Sequence, residues 1–300
     1  PLAGRRPHSL GAGPLKRALI TGISGFVGSH LAEYLVDNTD WEVAGMMRWR
    51  SPLNNLERLV PLANEGKRVR FVYADLNDAG SMRNAVKGMD YIFHLAAQSY
   101  PRTSFDIPND TIQTNVIGTL NLLEAIRHES PEAWTHICSS SEVYGQTKKE
   151  FLPIKEDCPF QPASPYSISK VGTDLLGQFY AQAYGLKTVM TRMFTHTGPR
   201  RGDVFCESSF AKQIAMIEVG LIPPVVKVGN LNSLRTVADV KDAVRAYYMA
   251  LTVNPSKGEV YNIGGTHSCT VGEILEALFN AAGRRYDVEV DPDRLRPIDA

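Results

Sequence analysis

Two clusters in the chain carry side chains able to move protons. The first is Tyr166-Ser167-Ile168-Ser169-Lys170, a Y-x-x-x-K spacing. On a helix, residues four apart share a face, so phenol and ammonium stand together. A nearby cation favours the phenolate and lowers a tyrosine pKa. Tyr166 is therefore a candidate acid/base for a hydroxyl being oxidised or a carbonyl being reduced. The second cluster is Ser139-Ser140-Ser141-Glu142-Val143-Tyr144-Gly145. A hydroxyl there can bond a reacting oxygen, and the Glu142 carboxylate can take a proton from carbon. Each cluster also has a plainer reading. Tyr166 and Lys170 can be an ordinary surface pair, and the serines can cap a turn beside a solvated Glu142.

A third motif points to a redox partner. TGISGFVGSH sets Gly22, Gly25 and Gly28 in a G-x-x-G-x-x-G array, with Ser24, Phe26 and Val27 between them. In that context the first glycine permits a tight turn, the second admits a pyrophosphate, and the third lets a helix pack against the preceding strand. The helix N-terminus then faces the phosphates. The next strand ends Met46-Met47-Arg48-Trp49-Arg50, with no acid to hold a ribose 2′-hydroxyl. A guanidinium there suits a 2′-phosphate, so NADP is expected over NAD, with Arg48 as its contact. The alternative is that Arg48 and Arg50 are solvated loop charges. Asp75-Leu76 follows a third strand, where Asp75 can hold an adenine amino group or cap a helix.

These groups need a scaffold that gathers them, and the hydrophobic pattern supplies one. Strands are expected at 17–21, 42–47, 69–73, 90–95, 135–139, 187–193 and 259–263. They are rich in Val, Ile and Met without strict alternation, as strands buried on both faces are. Helical segments lie at 26–38, 79–88, 110–129, 167–184, 207–219, 239–252 and 271–282. In the 167–184 segment Ile168, Val171, Leu175 and Phe179 fall on one stripe. This alternation predicts an α/β fold: a doubly wound parallel Rossmann sheet with a smaller, discontinuous C-terminal substrate lobe. The sheet domain is expected over 16–194, with 239–263 returning to it. The lobe takes 195–238 and 264–300. Within it, 195–206 and 220–238 read as loops with short strands, and the tail after 283 as irregular. Residues 1–15 read as a flexible leader without the apolar core of a signal peptide.

Composition excludes several classes. The 300 residues hold 32 Lys plus Arg against 32 Asp plus Glu, which argues against a nucleic-acid or membrane-surface binder. A hydrophobic content of 43% is too high for a disordered chain. No apolar run approaches the roughly 18 residues of a membrane span. The four cysteines include no C-x-x-C, which suits a reducing cytosol and argues against a disulfide scaffold or a zinc site. Histidines show no ligand spacing, so no metal is expected. His94 is expected to be packed, and His196 to bond its own loop.

From about residue 16 onward the chain resembles the extended short-chain dehydrogenase/reductase family. The resemblance rests on TGISGFVG, HLAAQS at 94–99, SSSEVYG and YSISK. Within that family it is most similar to GDP-mannose 4,6-dehydratases, through RWRSPLNNLERL, SFDIP and HTGPRRGDVF. FAKQI and VKVGNL are shared with the related GDP-4-keto-6-deoxymannose reductases. The resemblance implies that Ser140 bonds the sugar O4 while Tyr166 takes its proton and C4 gives hydride to NADP. Lys170 would hold the nicotinamide ribose, and Glu142 would remove the C5 proton and help expel the C6 hydroxyl. It further implies Leu95, Ala96 and Ala97 at the cofactor. At a GDP-sugar substrate it places Gln98, Ser99, Ser141, Thr195, Lys212, Arg235 and Arg296. Thr195 and Thr236 stand where relatives usually have Asn and Asp. Relatives also continue past the Arg296-Pro297 position, so a chain cut short is expected. Arg200 and Arg201 are further candidates for the substrate diphosphate, the plainer reading being solvated charges. A homodimer through 110–129 and 167–184 is implied as well, or a homotetramer using the 48–59 loop, with Arg50 and Arg201 then in a loop that reaches a neighbouring subunit. A reductase, 4-epimerase or decarboxylase of the same family is the alternative activity.

Overall fold

The structure is a computed structural model and describes residues 15–295. The leader expected at 1–15, apart from Leu15, and Arg296 lie outside the described residues. In chain order, β1 (Arg17–Thr21), α1 (Phe26–Asn38), β2 (Glu42–Met47), a short α2 (Val60–Asn64), β3 (Val69–Tyr73), α3 (Ala79–Val86) and β4 (Tyr91–His94) alternate. Two short helices, α4 (Pro101–Asp106) and α5 (Pro108–Ile112), run through a π turn at Gln113–Ile117 into α6 (Gly118–Glu129). Then come β5 (Trp134–Cys138), α7 (Pro165–Tyr184), β6 (Thr188–Met193) and the two-residue β7 (His196–Thr197). The rest is α8 (Cys206–Glu218), β8 (Val225–Val228), β9 (Leu234–Asp239), α9 (Val240–Thr252), β10 (Val260–Ile263), β11 (His267–Thr270), α10 (Val271–Ala282) and β12 (Asp287–Val290).

Seven strands form one sheet in the order β3-β2-β1-β4-β5-β6-β10, and every neighbouring pair is parallel. The five inner strands are buried on both faces, which explains runs without strict alternation, while the edge strands β3 and β10 are mostly half-buried. Along β1, Ala18 and Ile20 enter a core with α1 and α9, while Leu19 enters the opposite core with α3 and α6. Chain order reverses between β1 and β4, which opens the crevice where such sheets take ligands. Segment 239–263 joins this body: α9 packs on α1 through Val240, Val244, Tyr247 and Leu251, and β10 extends the sheet.

The smaller lobe has its own core of Phe210, Ile214, Val226, Val228, Leu275 and Phe279. The expected short strands are β7, β8 and β9. β11 pairs antiparallel with β9, and β7 pairs parallel with it. The tail after 283 is not irregular throughout, because β12 runs parallel to β8. All four β12 side chains are exposed. Its order comes from main-chain pairing, which a hydrophobic pattern does not register.

The stripe on α7 behaves differently from a core face. Ile168, Leu175 and Phe179 are 53%, 49% and 51% exposed. The opposite face, with Ser169, Lys170, Thr173, Asp174 and Gly177, is the one turned to the sheet. At Gly177 a Cβ would lie 2.6 Å from the sulfur of Met190, so only a glycine admits so close an approach.

Candidate active site

The glycine turn after β1 is built for close approach. Gly22 has φ +72°, and a Cβ on it would sit 2.9 Å from the Ala96 Cα. A Cβ at Gly28 would lie 2.3 Å from the carbonyl oxygen of Gly22. α1 begins directly after Gly25, with no side-chain cap and no acid in its first turn. Its leading N–H groups are thus left for an anion. These are the features a dinucleotide pyrophosphate requires, and the residues present fit one.

Hydrogen bonds fix the facing wall. Thr21 Oγ1 accepts from the main-chain N–H of Leu95 at 3.1 Å and of Ala96 at 3.0 Å. It also bonds His94 Nδ1 at 2.9 Å, and His94 Nε2 meets Thr119 Oγ1 at 2.9 Å. His94 is packed as expected, and burial lowers its pKa to about 3, keeping it neutral. Asn115, carried on the π turn, accepts from the Gln98 N–H at 2.8 Å and donates to the Gln98 carbonyl at 2.9 Å and to Ser169 Oγ at 2.9 Å. Gln98 Oε1 is buried with no protein partner.

The candidate proton-moving groups come from two elements. A one-turn 3₁₀ helix, Ser141–Tyr144, follows β5, and Ser140 Oγ accepts from the Glu142 N–H at 3.2 Å. Ser140 is thus a cap and a cavity residue at once. α7 starts with a reciprocal capping box between Ser164 and Ser167. Ser104 Oγ accepts from the Tyr166 N–H at 3.1 Å. This fixes Tyr166 in the first turn, where its hydroxyl faces the Ser140 side chain. Lys170 Nζ donates to the Cys138 carbonyl at 2.8 Å and lies 6.0 Å from the centre of the Tyr166 ring. Burial raises the Tyr166 pKa and outweighs the lowering by Ser140 and Arg201. Burial lowers that of Lys170. The expected lowering of Tyr166 by Lys170 is not what dominates here, because both groups are desolvated.

One cavity of about 1540 Å³ joins these parts. It is lined by Gly22, Ser24, Gly25, Phe26, Val27, Gly28, Arg48, Asp75 and Leu76, then by Leu95, Ala96, Ala97, Gln98 and Ser99. Ser140, Ser141, Glu142, Tyr166, Lys170, Thr195 and Arg235 line it as well, so that of the described residues expected at the site only Lys212 and the further candidate Arg200 are not in its wall. Asp75 Oδ1 accepts from the Asn77 N–H at 2.9 Å in a local turn, while the residue that caps α3 is Asp78, whose Oδ1 accepts from the Gly80 N–H at 3.0 Å. Arg48 is exposed at the cavity edge.

Lys212 is a correction. α8 turns Phe210 and Ile214 into the lobe core, so Lys212 faces outward and pairs with Asp203 at 2.5 Å. Arg201 lines the cavity beside Glu207, each side chain 11% exposed. Its guanidinium lies 3.9 Å from the centre of the Phe205 ring and 5.6 Å from that of Phe26. Arg200 points the other way, to Glu33 at 2.7 Å. His196 Nδ1 donates to the Phe194 carbonyl at 3.1 Å, the loop bond expected, and its ring stacks on Phe26. Burial lowers its pKa to about 4.

Arg294, Ser209 and Glu207 also line the cavity and were missed. Arg294 Nη1 donates to Ser209 Oγ at 2.8 Å. Only lobe packing brings them to the crevice. For Arg201 and Glu207 the spacing PRRGDVFCE offered a weak signal, opposite charges six residues apart across a helix start. Among the described residues no three His, Cys, Asp or Glu side chains gather as metal ligands, and no helix is long and apolar enough to cross a membrane.

Comparison with known proteins agrees with this geometry. GDP-6-deoxy-D-mannose reductase of Pseudomonas aeruginosa is 31% identical over 94% of this chain and 85% of its own length. GDP-mannose 4,6 dehydratase 1 of Arabidopsis thaliana is 34% identical over 95% and 81%. The solved structure of RMD from Pseudomonas aeruginosa complexed with NADPH superposes with a TM-score of 0.79 at 31% identity, covering 93% of this chain and 88% of that one. The sequence model of the GDP-mannose 4,6 dehydratase family matches residues 19–298, and on that match, with the crevice it accompanies, the chain belongs to the GDP-mannose 4,6-dehydratase family.

Proposed function

We propose that the chain converts GDP-mannose to GDP-4-keto-6-deoxymannose with a retained NADP. The observation that carries the reading is the placement of Glu142 in the same cavity as Ser140, Tyr166 and Lys170. Redox at C4 needs only the phenol and its partners. A carboxylate beside them adds a base for a carbon acid, which elimination requires.

Tyr166 takes the O4 proton, and Ser140 holds O4. When bound, the nicotinamide supplies the chemistry of accepting the C4 hydride and returning it to C6. The C4 ketone acidifies the C5 hydrogen. Glu142 removes it, then gives a proton to the departing C6 hydroxyl, which leaves as water. The cradle of Gly22, Gly25 and Gly28 and the N-terminus of α1 hold the cofactor phosphates. Arg48 meets the 2′-phosphate, and the NADPH-bound relative supports that choice. The lobe of 195–238 and 264–295 takes the nucleotide sugar, with Gln98, Ser99, Ser141, Thr195 and Arg235 as contacts. The exposed Ile168, Leu175 and Phe179 stripe on α7 supports pairing of two copies, and the four unpaired cysteines support a cytosolic setting.

The second reading is a reductase of the 4-keto product, favoured by the similarity to the Pseudomonas aeruginosa enzyme. Mass spectrometry of GDP-mannose incubated with purified protein and no added cofactor separates the two. Loss of one water supports the dehydratase. An unchanged sugar, with NADPH consumed when the 4-keto-6-deoxy sugar is supplied, supports the reductase instead.

A further inference from the structure

Away from the cavity, one guanidinium joins the two elements that carry the proton-moving groups. Arg192 on β6 is buried, and its fork meets Asp174 on α7, Nε to Oδ2 at 2.9 Å and Nη2 to Oδ1 at 3.1 Å. Its remaining arm, Nη1, donates to the Tyr144 hydroxyl at 2.8 Å and to the Glu156 carbonyl at 2.7 Å. Tyr144 in turn donates to Asn262 Oδ1 on β10 at 2.7 Å.

Asp174 lies one helical turn beyond Lys170 and two beyond Tyr166 on the same helix. Tyr144 closes the 3₁₀ turn that bears Glu142. A bidentate guanidinium–carboxylate pair fixes direction as well as distance. The far end of the turn is fixed too. Gly145 has φ +55°, and a Cβ there would fall 1.8 Å from the Gln161 carbonyl oxygen. The Gln161 N–H donates to Val143 O at 2.9 Å.

We propose that Tyr144 and Arg192 are positioning residues that set where the Glu142 carboxylate stands relative to Tyr166. This rests on the dehydratase reading for its chemistry. Neither residue lines the cavity. Tyr144→Phe removes one hydroxyl and leaves Arg192 bound to Asp174 and Glu156. α7, and with it Tyr166 and Lys170, keeps its anchors. Only the turn with Glu142 loosens. The loss therefore falls on one step of two.

The test compares wild type with Tyr144→Phe, both loaded with NADP. In the first turnover on GDP-mannose, reduced nicotinamide absorbance reports C4 oxidation, and proton exchange at C5 in heavy water reports Glu142. Oxidation is expected within about twofold of wild type, with C5 exchange and water loss slowed roughly 10- to 100-fold, the scale of a misplaced catalytic group. Reduced nicotinamide then accumulates. Independently of turnover, amide exchange over 140–145 is expected to quicken while that of α7 does not. Asn262→Ala, which removes the acceptor for Tyr144, is expected to give the same split and serves if Tyr144→Phe folds poorly. Equal slowing of both steps, or unchanged amide exchange in the turn, overturns the proposal. If wild type itself releases no water from GDP-mannose, the dehydratase reading fails, and the amide-exchange comparison alone decides whether Tyr144 holds the turn.

Discussion

Lys170 Nζ lies 6.0 Å from the centre of the Tyr166 ring, tied down by the Cys138 carbonyl rather than by the phenol. Desolvation disfavours the charged form of each, raising the tyrosine and lowering the lysine. In the ligand-free protein Tyr166 is therefore a protonated phenol throughout the neutral range. Ultraviolet titration of wild type minus Tyr166→Phe is expected to show no phenolate below its ordinary value of 10. Saturating NADP, whose oxidised ring is cationic, is expected to bring the transition down. A phenolate below neutrality in the free protein would contradict this. Tyr166→Phe is expected to lower turnover by roughly 10²- to 10⁴-fold.

The ion pair of Arg201 and Glu207 sits in the cavity wall with its charge cancelled. Glu207→Gln leaves the guanidinium with a free positive charge facing a cavity for anionic nucleotides. GDP affinity, measured by calorimetry, is expected to rise several-fold and to become more salt-dependent. Arg201→Met does the opposite and strands a buried carboxylate, at a cost of about 3 kcal/mol in stability by denaturant titration. Weaker GDP binding in Glu207→Gln would show that the carboxylate, not the guanidinium, makes the contact.

Acid should loosen the fold before carboxylates titrate. His94 and His136 have pKa values lowered to about 3, and His196 to about 4, each with burial as the main cause. Folded, they stay neutral; unfolded, they take protons as pH falls below 6.5. The unfolded state binds more protons, so stability is full above that value and is lost as pH drops through the window toward 4 and then 3. At pH 5 each histidine costs about 2 kcal/mol. Denaturant midpoints at pH 7.5 and pH 5 check this, and His196→Asn is expected to remove part of the difference. Equal stability at the two values contradicts it.

Arg48 stands exposed at the edge of the cavity, and the end of β2 that carries it holds no acid to serve a 2′-hydroxyl. Arg48→Ala is expected to weaken NADP binding roughly 10-fold and leave NAD nearly unchanged, as loss of one charged hydrogen bond does. Fluorescence titration with both cofactors checks it. Equal losses for the two would place the 2′-phosphate elsewhere.

The inner strands of the main sheet were legible because burial on both faces leaves short runs rich in Val, Ile and Met without strict alternation, and the glycine motif marks where the crevice opens. Ser140, Glu142, Tyr166 and Lys170 stand out by type and spacing, and they meet in one cavity because the turn after β5 and the first turns of α7 carry all four. What the sequence hid depends on long-range packing. β12 shows no apolar pattern because its order comes from pairing with β8. Lys212 read as a contact because its outward direction is set by Phe210 and Ile214. Arg192, Asp174 and Tyr144 lie in separate segments with nothing local to join them. The α7 stripe of Ile168, Leu175 and Phe179 has the period of a core face, and period alone does not say which face meets the sheet.

The central claim is that one cavity oxidises C4, eliminates water through Glu142 and returns the same hydride to C6. GDP-mannose deuterated at C4, turned over without added cofactor, tests it most directly. The account predicts product with the deuterium at C6 and a hydrogen from solvent at C5. Deuterium lost to solvent, or retained at C4, would contradict it.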